Sequence, residues 1–311
     1  MHIPDGFLDT RTAVTTAALS AAGIAVALRR LKTSLRPGAV PLMGLTAAFV
    51  FVAQTINFPV GAGTSGHLLG GVLAATLVGP LAAILVMTSV LVVQALLFAD
   101  GGLLALGANL FNLALVVPLT GFWIAAGIRR AVPGEAGRYA APAFGAWAST
   151  VIAAILCAAE LSWSGTAAWR TVFPAMGTVH IVVGVVEGLI TALVLAALER
   201  VRPDLLQRGA QEPGPFASIV LGLTIVLGLA LFVSPFASEW PDGLERVAGL
   251  LGFESRALPQ SAPMAEYRLP GVGSLVTATS LAIAAGTAVV FAGSLLLGRL
   301  LAARKSSRLS A

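Results

Sequence analysis

Long apolar runs separated by short polar segments dominate this chain. About nine of these runs approach the roughly 20 residues that a helix needs to cross a bilayer. The all-α pattern predicts a polytopic membrane protein, with about seven transmembrane helices in a first module and two in a second. In chain order the predicted spans are Thr10–Leu28, Val40–Asn57, Leu68–Gly79, Leu81–Phe98, Leu103–Ile128, Ala140–Glu160, Met176–Leu198, Phe216–Phe236 and Ser274–Leu297.

The third span is the shortest, because Gly79 and Pro80 stop it. It can reach the middle of the membrane only where protein or water shelters its ends. Counting it as a full crossing places every basic cluster on one side of the membrane. Omitting it would move Arg129 and Arg130 to the other side, so we count it.

Composition and charge agree with a membrane protein. Hydrophobic residues make up 57% of the chain and charged residues 11%, against roughly 45–50% and about 25% in soluble domains. By the positive-inside rule the basic clusters face the cytoplasm, so the amino terminus is expected outside. The bilayer therefore accounts for the basic charge, and no nucleic-acid partner is expected. The clusters comprise Arg29, Arg30, Lys32 and Arg36; Arg129, Arg130 and Arg138; Arg200, Arg202 and Arg208; and Arg299, Arg304, Lys305 and Arg308.

A polar segment rich in Pro and Gly divides the chain. Residues 202–215 form a predicted cytoplasmic linker between a module at 1–201 and a module at 216–311. The second module is expected to carry an external loop, Ala237–Gly273, between its two membrane helices. In that loop Asp242 follows Pro241 and precedes a helical spacing of Leu244, Val247 and Leu251, which predicts a capped amphipathic helix packed on the first module.

The first two residues carry candidate metal chemistry. The Met1 amine, the His2 amide nitrogen and the His2 imidazole can close a five-membered and a six-membered chelate ring on one ion. A basic n-region is missing near Asp5 and Asp9, so no cleaved signal peptide is expected. The bulky second residue also favours retention of Met1, which the chelate requires.

A second histidine lies in a glycine-rich stretch, Gly61–His67, where glycines let the backbone approach an ion closely. A fourth nitrogen from His67 would complete a planar site of the kind that Ni²⁺ and Cu²⁺ favour. The structural alternative is that His2 is an accident of the start site and His67 caps the third span. The single Cys157 lies in an apolar span, which argues against a thiolate site or a disulfide framework.

His180 and Glu187 lie on one face of the seventh span. Ionisable groups in a membrane span are functional candidates by default. The structural alternative, which we favour, is an interhelical hydrogen bond to an amide side chain: Asn109, Asn112, Gln94 or Gln54. Residues expected to orient or brace the ligand loops are Ser65, Asn57, Asn109, Asn112, His180 and Glu187.

Two motifs carry a family resemblance. Met-His-Ile-Pro-Asp-Gly-Phe-Leu at 1–8 and Gly-Thr-Ser-Gly-His-Leu-Leu-Gly-Gly at 63–71 resemble the CbiM/NikM family, the cobalt and nickel substrate-capture (S) components of energy-coupling-factor ABC transporters. The resemblance covers residues 1–202 and implies ligation by the Met1 amine, the amide and side chain of His2, and His67. The stretch Trp-Pro-Asp-Gly-Leu-Glu-Arg at 240–246 resembles the PDGLE domain of the two-helix NikN/CbiN-like partner subunit.

This resemblance implies a non-enzymatic capture subunit that works with a transmembrane coupling (T) subunit and cytoplasmic ATPase subunits. It implies the cell (inner) membrane of a bacterium or archaeon. No permanently bound cofactor is expected, because Ni²⁺ or Co²⁺ is the substrate. The sequence agrees, since it contains no G-x-x-x-x-G-K-[ST] phosphate loop. It does not choose between the two metals.

Two other functions stay open. An autonomous divalent-metal channel or secondary transporter would require inverted repeats or a polar pathway, and neither is apparent. A rhomboid-like intramembrane serine protease would pair Ser65, in a G-x-S-G pattern, with His180. A hydrogen bond between Ser65 Oγ and His180 would favour the protease.

Overall fold

The computed structural model describes residues 1–61, 63–203 and 216–309, and helices form most of it. The helices are α1 (Thr10–Ser34), α2 (Ala39–Thr55), α3 (Gly71–Val78), α4 (Pro80–Val93), α5 (Leu106–Asn109), α6 (Val117–Ala131), α7 (Glu135–Trp163), α8 (Trp169–Val201), α9 (Phe216–Phe232), α10 (Gly243–Leu251) and α11 (Leu275–Leu309). One antiparallel hairpin joins β1 (Phe58–Gly61) to β2 (Thr64–Gly66). Residues 204–215 of the predicted linker lie outside the described residues.

Short segments of wider or tighter helix complete the elements. A π-helical segment, Gln94–Phe98, continues α4, and a second one, Leu110–Val116, joins α5 to α6. Such π segments occur mostly as single insertions in α-helices and frequently at functional sites. Three 3₁₀ turns lie in the second module: Ser234–Phe236, Glu254–Arg256 and Ala265–Tyr267.

The all-α membrane architecture is confirmed. Among the described residues, seven helices are long and apolar enough to cross a membrane, and α2 is a shorter apolar helix. The third predicted span is helical only over Gly71–Val78, eight residues. That is about 12 Å of helix against a hydrocarbon core of about 30 Å. Most residues of α3 are buried, so protein surrounds a helix that is too short to cross the bilayer by itself.

Helices α7 and α8 pack closely against each other. A Cβ built on Gly188 would lie 2.6 Å from the carbonyl oxygen of Ala143, so a glycine is required at this crossing. Small residues allow helix backbones to approach in this way inside a membrane. His180 and Glu187, on the same helix, are both buried.

The segment between α9 and α11 lies against the first module. Leu244 and Val247 of α10 are buried, which confirms the amphipathic helix predicted there. Backbone hydrogen bonds tie this segment to four separate places in the first module. They run from Ser238 N to Asn57 O at 2.8 Å, from Ser65 N to Pro241 O at 2.9 Å, from Leu258 N to Asp5 O at 2.8 Å, and from Met264 N to Leu97 O at 2.9 Å.

Candidate functional site

The first residues of the chain are tucked inward rather than extended into solvent. Met1 and Ile3 are 5% and 1% exposed. The Asn109 side chain holds Ile3 from both sides, accepting from its N–H at 2.8 Å and donating to its carbonyl at 3.0 Å. The Asp5 carboxylate accepts from backbone N–H groups at Leu104 and Ala105. These bonds place the terminal amine at a defined position inside the protein.

The Met1 amine meets two side chains from distant parts of the sequence. Its nitrogen lies 3.1 Å from Nε2 of His67 and 2.6 Å from Oδ2 of Asp242. The Met1 and Asp242 side chains are 3% and 15% exposed. The amine therefore sits between a candidate metal ligand of the first module and a carboxylate of the second.

The loop that carries His67 is held by buried side chains. Glu187 on α8 accepts from the N–H groups of Leu69 at 2.6 Å and Gly70 at 3.0 Å. Gln54 donates to the Leu69 carbonyl at 2.8 Å. The helix can start only after Gly70, whose φ of 76° is left-handed. Glu187 thus supplies acceptors for the loop that precedes α3 and orients the candidate ligand.

The His67 imidazole is oriented for ligation. Its Nδ1 lies 3.2 Å from the Leu68 carbonyl, which suits an Nδ1–H donor. The lone pair of Nε2 then faces the Met1 amine. Outer hydrogen bonds of this kind commonly fix the tautomer and direction of a metal-binding histidine.

His2 stacks on His67, with ring centroids 5.5 Å apart and ring planes 15° apart. Its Nδ1 lies 3.1 Å from Oδ1 of Asp100, whose Oδ2 accepts from the Tyr267 hydroxyl at 2.5 Å. Within the described part of the chain, Nε2 of His2 is buried without a hydrogen-bond partner. The six-membered chelate ring uses Nδ1, so this atom must exchange Asp100 for the ion.

Burial and charge set the protonation states at the site. Burial, aided by the nearby amine, lowers the pKa of His67 to about 3. Burial also lowers the pKa of His2, although Asp100 opposes the effect. Burial alone would lower the pKa of the Met1 amine, but the Asp242 carboxylate outweighs it and the pKa rises. The two imidazoles are therefore neutral, as metal ligation requires.

The Asp242 carboxylate is the residue that sequence reasoning missed as part of the site. Its role as the cap of α10 was predicted and is confirmed, since Oδ1 accepts from the N–H groups of Leu244 and Glu245. Burial would raise the pKa of this carboxyl, but the Met1 amine holds it well below the usual range. The only signal in the sequence was an acidic residue within the PDGLE-like motif.

Helix α10 also lies directly against His180. A Cβ on Gly243 would stand 2.7 Å from Nε2 of His180, so the motif needs glycine here. A small cavity of about 10 Å³, near the size that holds one water molecule, is lined by residues of both modules. From the first module Met1, His67 and His180 line it, and from the second Asp242 and Gly243.

The prediction that His180 and Glu187 form hydrogen bonds with amide side chains was wrong. Instead of an amide side chain on another helix, Nδ1 of His180 pairs with the Met176 carbonyl at 2.8 Å. Glu187 pairs with the backbone amides described above, because the loop before α3 needs acceptors that its own backbone cannot supply.

Of the other residues predicted to brace the site, Asn57 and Ser65 contact the second module and Asn112 contacts α7. The Asn57 carbonyl accepts from Ser238 and so holds the second module. The Asn112 side chain donates to Glu160 on α7 at 2.8 Å, so this hydrogen bond does not brace the ligand loops as predicted. Ser65 Oγ donates to the Trp240 carbonyl at 2.6 Å. Since the Ser65 hydroxyl bonds to a carbonyl rather than to His180, the geometry disfavours the serine-protease alternative.

Side chains alone do not make a metal site in the described residues. No group of three or more His, Cys, Asp or Glu side chains is placed there to hold an ion. Backbone nitrogens at the start of the chain would have to complete the ligand set. What the arrangement offers is a terminal amine, two neutral imidazoles and two nearby carboxylates.

Comparisons with known proteins find a matching family for each module. A family model described as a cobalt uptake substrate-specific transmembrane region, CbiM, matches residues 2–205, and a PDGLE domain matches 216–303. A putative fused nickel transport protein NikMN of Archaeoglobus fulgidus is 35% identical over 94% of this chain and 96% of that protein. The fused nickel transport protein NikMN of Rhodobacter capsulatus is 31% identical, with the same coverage of 94% and 96%.

A solved structure is also similar. The crystal structure of a truncated transition metal transporter has 34% sequence identity and a TM-score of 0.59, covering 64% of this chain and 99% of that one.

Proposed function

Because the chain belongs to the CbiM family of cobalt-uptake substrate-specific transmembrane proteins, we propose that it captures Ni²⁺ or Co²⁺ for an energy-coupling-factor importer. Relatives named as metal transport proteins support a transport role rather than an enzymatic one. The ion is the substrate, bound by the Met1 amine, the His2 amide and imidazole, and His67.

One distance carries the proposal. Metal–nitrogen bonds of about 2.0 Å at right angles hold adjacent ligand nitrogens about 2.8 Å apart. The Met1 nitrogen and Nε2 of His67 are 3.1 Å apart, although 66 residues separate them in sequence. The two nitrogens are thus already spaced as neighbouring ligands of one ion.

Capture exchanges protons and hydrogen bonds for metal bonds. The amine gives up the Asp242 contact and the His2 imidazole gives up Asp100. The amine and the His2 amide each lose a proton, so binding releases protons to solvent. Mg²⁺ and Ca²⁺ are rejected because they prefer oxygen ligands.

Separate partner subunits are expected to supply the remaining parts of the importer. A T subunit and ATPase subunits would drive release of the ion to the cytoplasm, since the chain has no phosphate-loop motif. The basic clusters support an external amino terminus in the cell membrane. We assign capture to 1–201, a linker to 202–215 and the PDGLE-type module to 216–311.

Calorimetry on the detergent-purified full chain tests this assignment. We expect one Ni²⁺ or Co²⁺ per protein. One alanine added before Met1, or His67→Ala, should weaken binding by more than about a hundredfold, since losing even an outer-shell partner costs 10–100-fold. Cys157→Ser, in an apolar span, is the control and should bind like wild type. Wild-type affinity in either of the first two variants would refute the chelate. Metal uptake by this chain alone in sealed vesicles without ATP would instead support an autonomous transporter.

A further inference from the structure

The Asp242 carboxylate has one oxygen that α10 uses and one that it does not. Oδ1 caps the helix, accepting from Leu244 N–H at 2.7 Å and Glu245 N–H at 2.9 Å. Oδ2 is directed at the Met1 amine at 2.6 Å. The cap holds the carboxylate in place, so Oδ2 stays at the site whatever occupies the position beside the amine.

The position of Oδ2 fits that of a ligand next to the amine. Metal–oxygen and metal–nitrogen bonds of about 2.0–2.2 Å at right angles separate the two ligand atoms by about 3 Å. Asp242 also lines the small cavity that Met1 and His67 line. An ion bonded to the amine and to His67 would therefore lie within reach of Oδ2.

Charge gives the same answer. A divalent ion bound to one deprotonated amide leaves a net positive charge in a buried site. An unpaired buried charge is costly. Asp242 is 15% exposed and, as a ligand, would bring the summed charge of the ion and its bonded groups to zero. The other nearby carboxylate, Asp100, faces His2 and accepts from Tyr267.

We propose that Oδ2 of Asp242 is a further ligand of the captured ion, an oxygen donor that the PDGLE-type module adds to the four nitrogens. The inference rests on the proposed function. Four planar nitrogens satisfy Ni²⁺ by themselves. Co²⁺ readily takes a fifth ligand, so Asp242 stabilises bound Co²⁺ more than bound Ni²⁺ and sets the selectivity between them.

The test compares Asp242→Asn and Asp242→Ser with Glu245→Gln in the full chain. Asn and Ser both cap helices well, so α10 is retained, and Ser also removes any carbonyl oxygen that Asn could offer. Glu245→Gln removes a charge from the same turn but can still accept from the Asp242 N–H, the 2.9 Å bond that Glu245 makes. Ni²⁺ and Co²⁺ are titrated separately, and the visible absorption spectrum of bound Co²⁺ is recorded.

Both Asp242 variants should lose at least about tenfold in Co²⁺ affinity, with a much smaller loss for Ni²⁺. Their Co²⁺ spectra should change because the coordination number falls, whereas Glu245→Gln should match wild type in both measurements. An unchanged spectrum with an unchanged Co²⁺-to-Ni²⁺ affinity ratio would overturn the inference, whether both affinities stay the same or fall equally. Neither result touches the amine and His67 chelate, whose own failure would appear as tight binding by His67→Ala.

Discussion

Helices α4 and α9 have the same hydropathy and very different surroundings. The most apolar part of each has a mean hydropathy of 2.5, yet 61% of that part is buried in the span Pro80–Phe98 and only 17% in Ile219–Phe236. Lipid is as apolar as the side chains of a protein core, so hydropathy does not separate a helix that packs on protein from one that faces lipid. The second module is held to the first by its loop and by α11, where a Cβ on Gly286 would lie 2.5 Å from the Phe51 ring of α2, whereas α9 stays mostly exposed.

The largest expected effect tests this difference directly. Leu85 on α4 is 1% exposed, and Leu221 on α9 is 51% exposed. Leu85→Ala should lower the free energy of unfolding by about 2–5 kcal/mol, because it leaves a cavity in packed protein. Leu221→Ala should change it by less than about 0.5 kcal/mol. Thermal unfolding in one detergent measures both, and equal losses would show that α9 is packed as tightly as α4.

A smaller effect on metal affinity is expected from the contact between Glu187 and the loop that carries His67. Glu187→Gln leaves one of the two amides at Leu69 and Gly70 without its acceptor. We expect metal affinity to fall about 10–100-fold, as when other groups that orient a ligand are lost. Glu199→Gln is the matched control, because Glu199 lies on the same helix but pairs with Arg138 and Tyr139. Wild-type affinity in Glu187→Gln would show that the loop needs no help from α8.

Metal affinity should respond to pH. The pKa of His67 is about 3, so its imidazole stays neutral throughout the physiological range. The pKa of the Met1 amine is raised above its ordinary 8.0, so at the proposed site the amine carries a proton that the ion must displace. Because the His2 amide loses a second proton, affinity for Ni²⁺ should rise about a hundredfold per pH unit between about pH 6 and pH 8. Calorimetry across that range checks the slope. A rise of only about tenfold per pH unit would show that one proton is released instead of two, and an affinity independent of pH would refute ligation by the amide.

The same ion pair sets a window of stability for the metal-free protein. The raised amine pKa means that its contribution is complete below 8.0 and is lost as pH rises through the folded pKa. The lowered Asp242 pKa means that its contribution is lost only as pH falls through that low value. The contact between Met1 and the second module should accordingly persist from mildly acidic to mildly alkaline pH.

Much of the site could be predicted because its residues are rare in this chain. Three histidines and one amino terminus leave few ways to build a nitrogen site, and all three histidines lie near Met1 in the fold or line its cavity. The amide partners expected for His180 and Glu187 were wrong, because a backbone loop in need of acceptors competes successfully with side chains. No periodicity could have pointed to that loop.

The sequence by itself determined the membrane helices, the basic clusters and the cap of α10, because these depend on neighbouring residues: runs of apolar side chains, short charged segments, and an Asp just before a helix. Only the tertiary structure decided that Asp242 would meet Met1, that Asp100 would hold His2, and that α4 would be buried while α9 faces outward. Those outcomes depend on contacts between residues far apart in the chain, and the hydrophobic pattern is the same whichever apolar surface a helix finally faces.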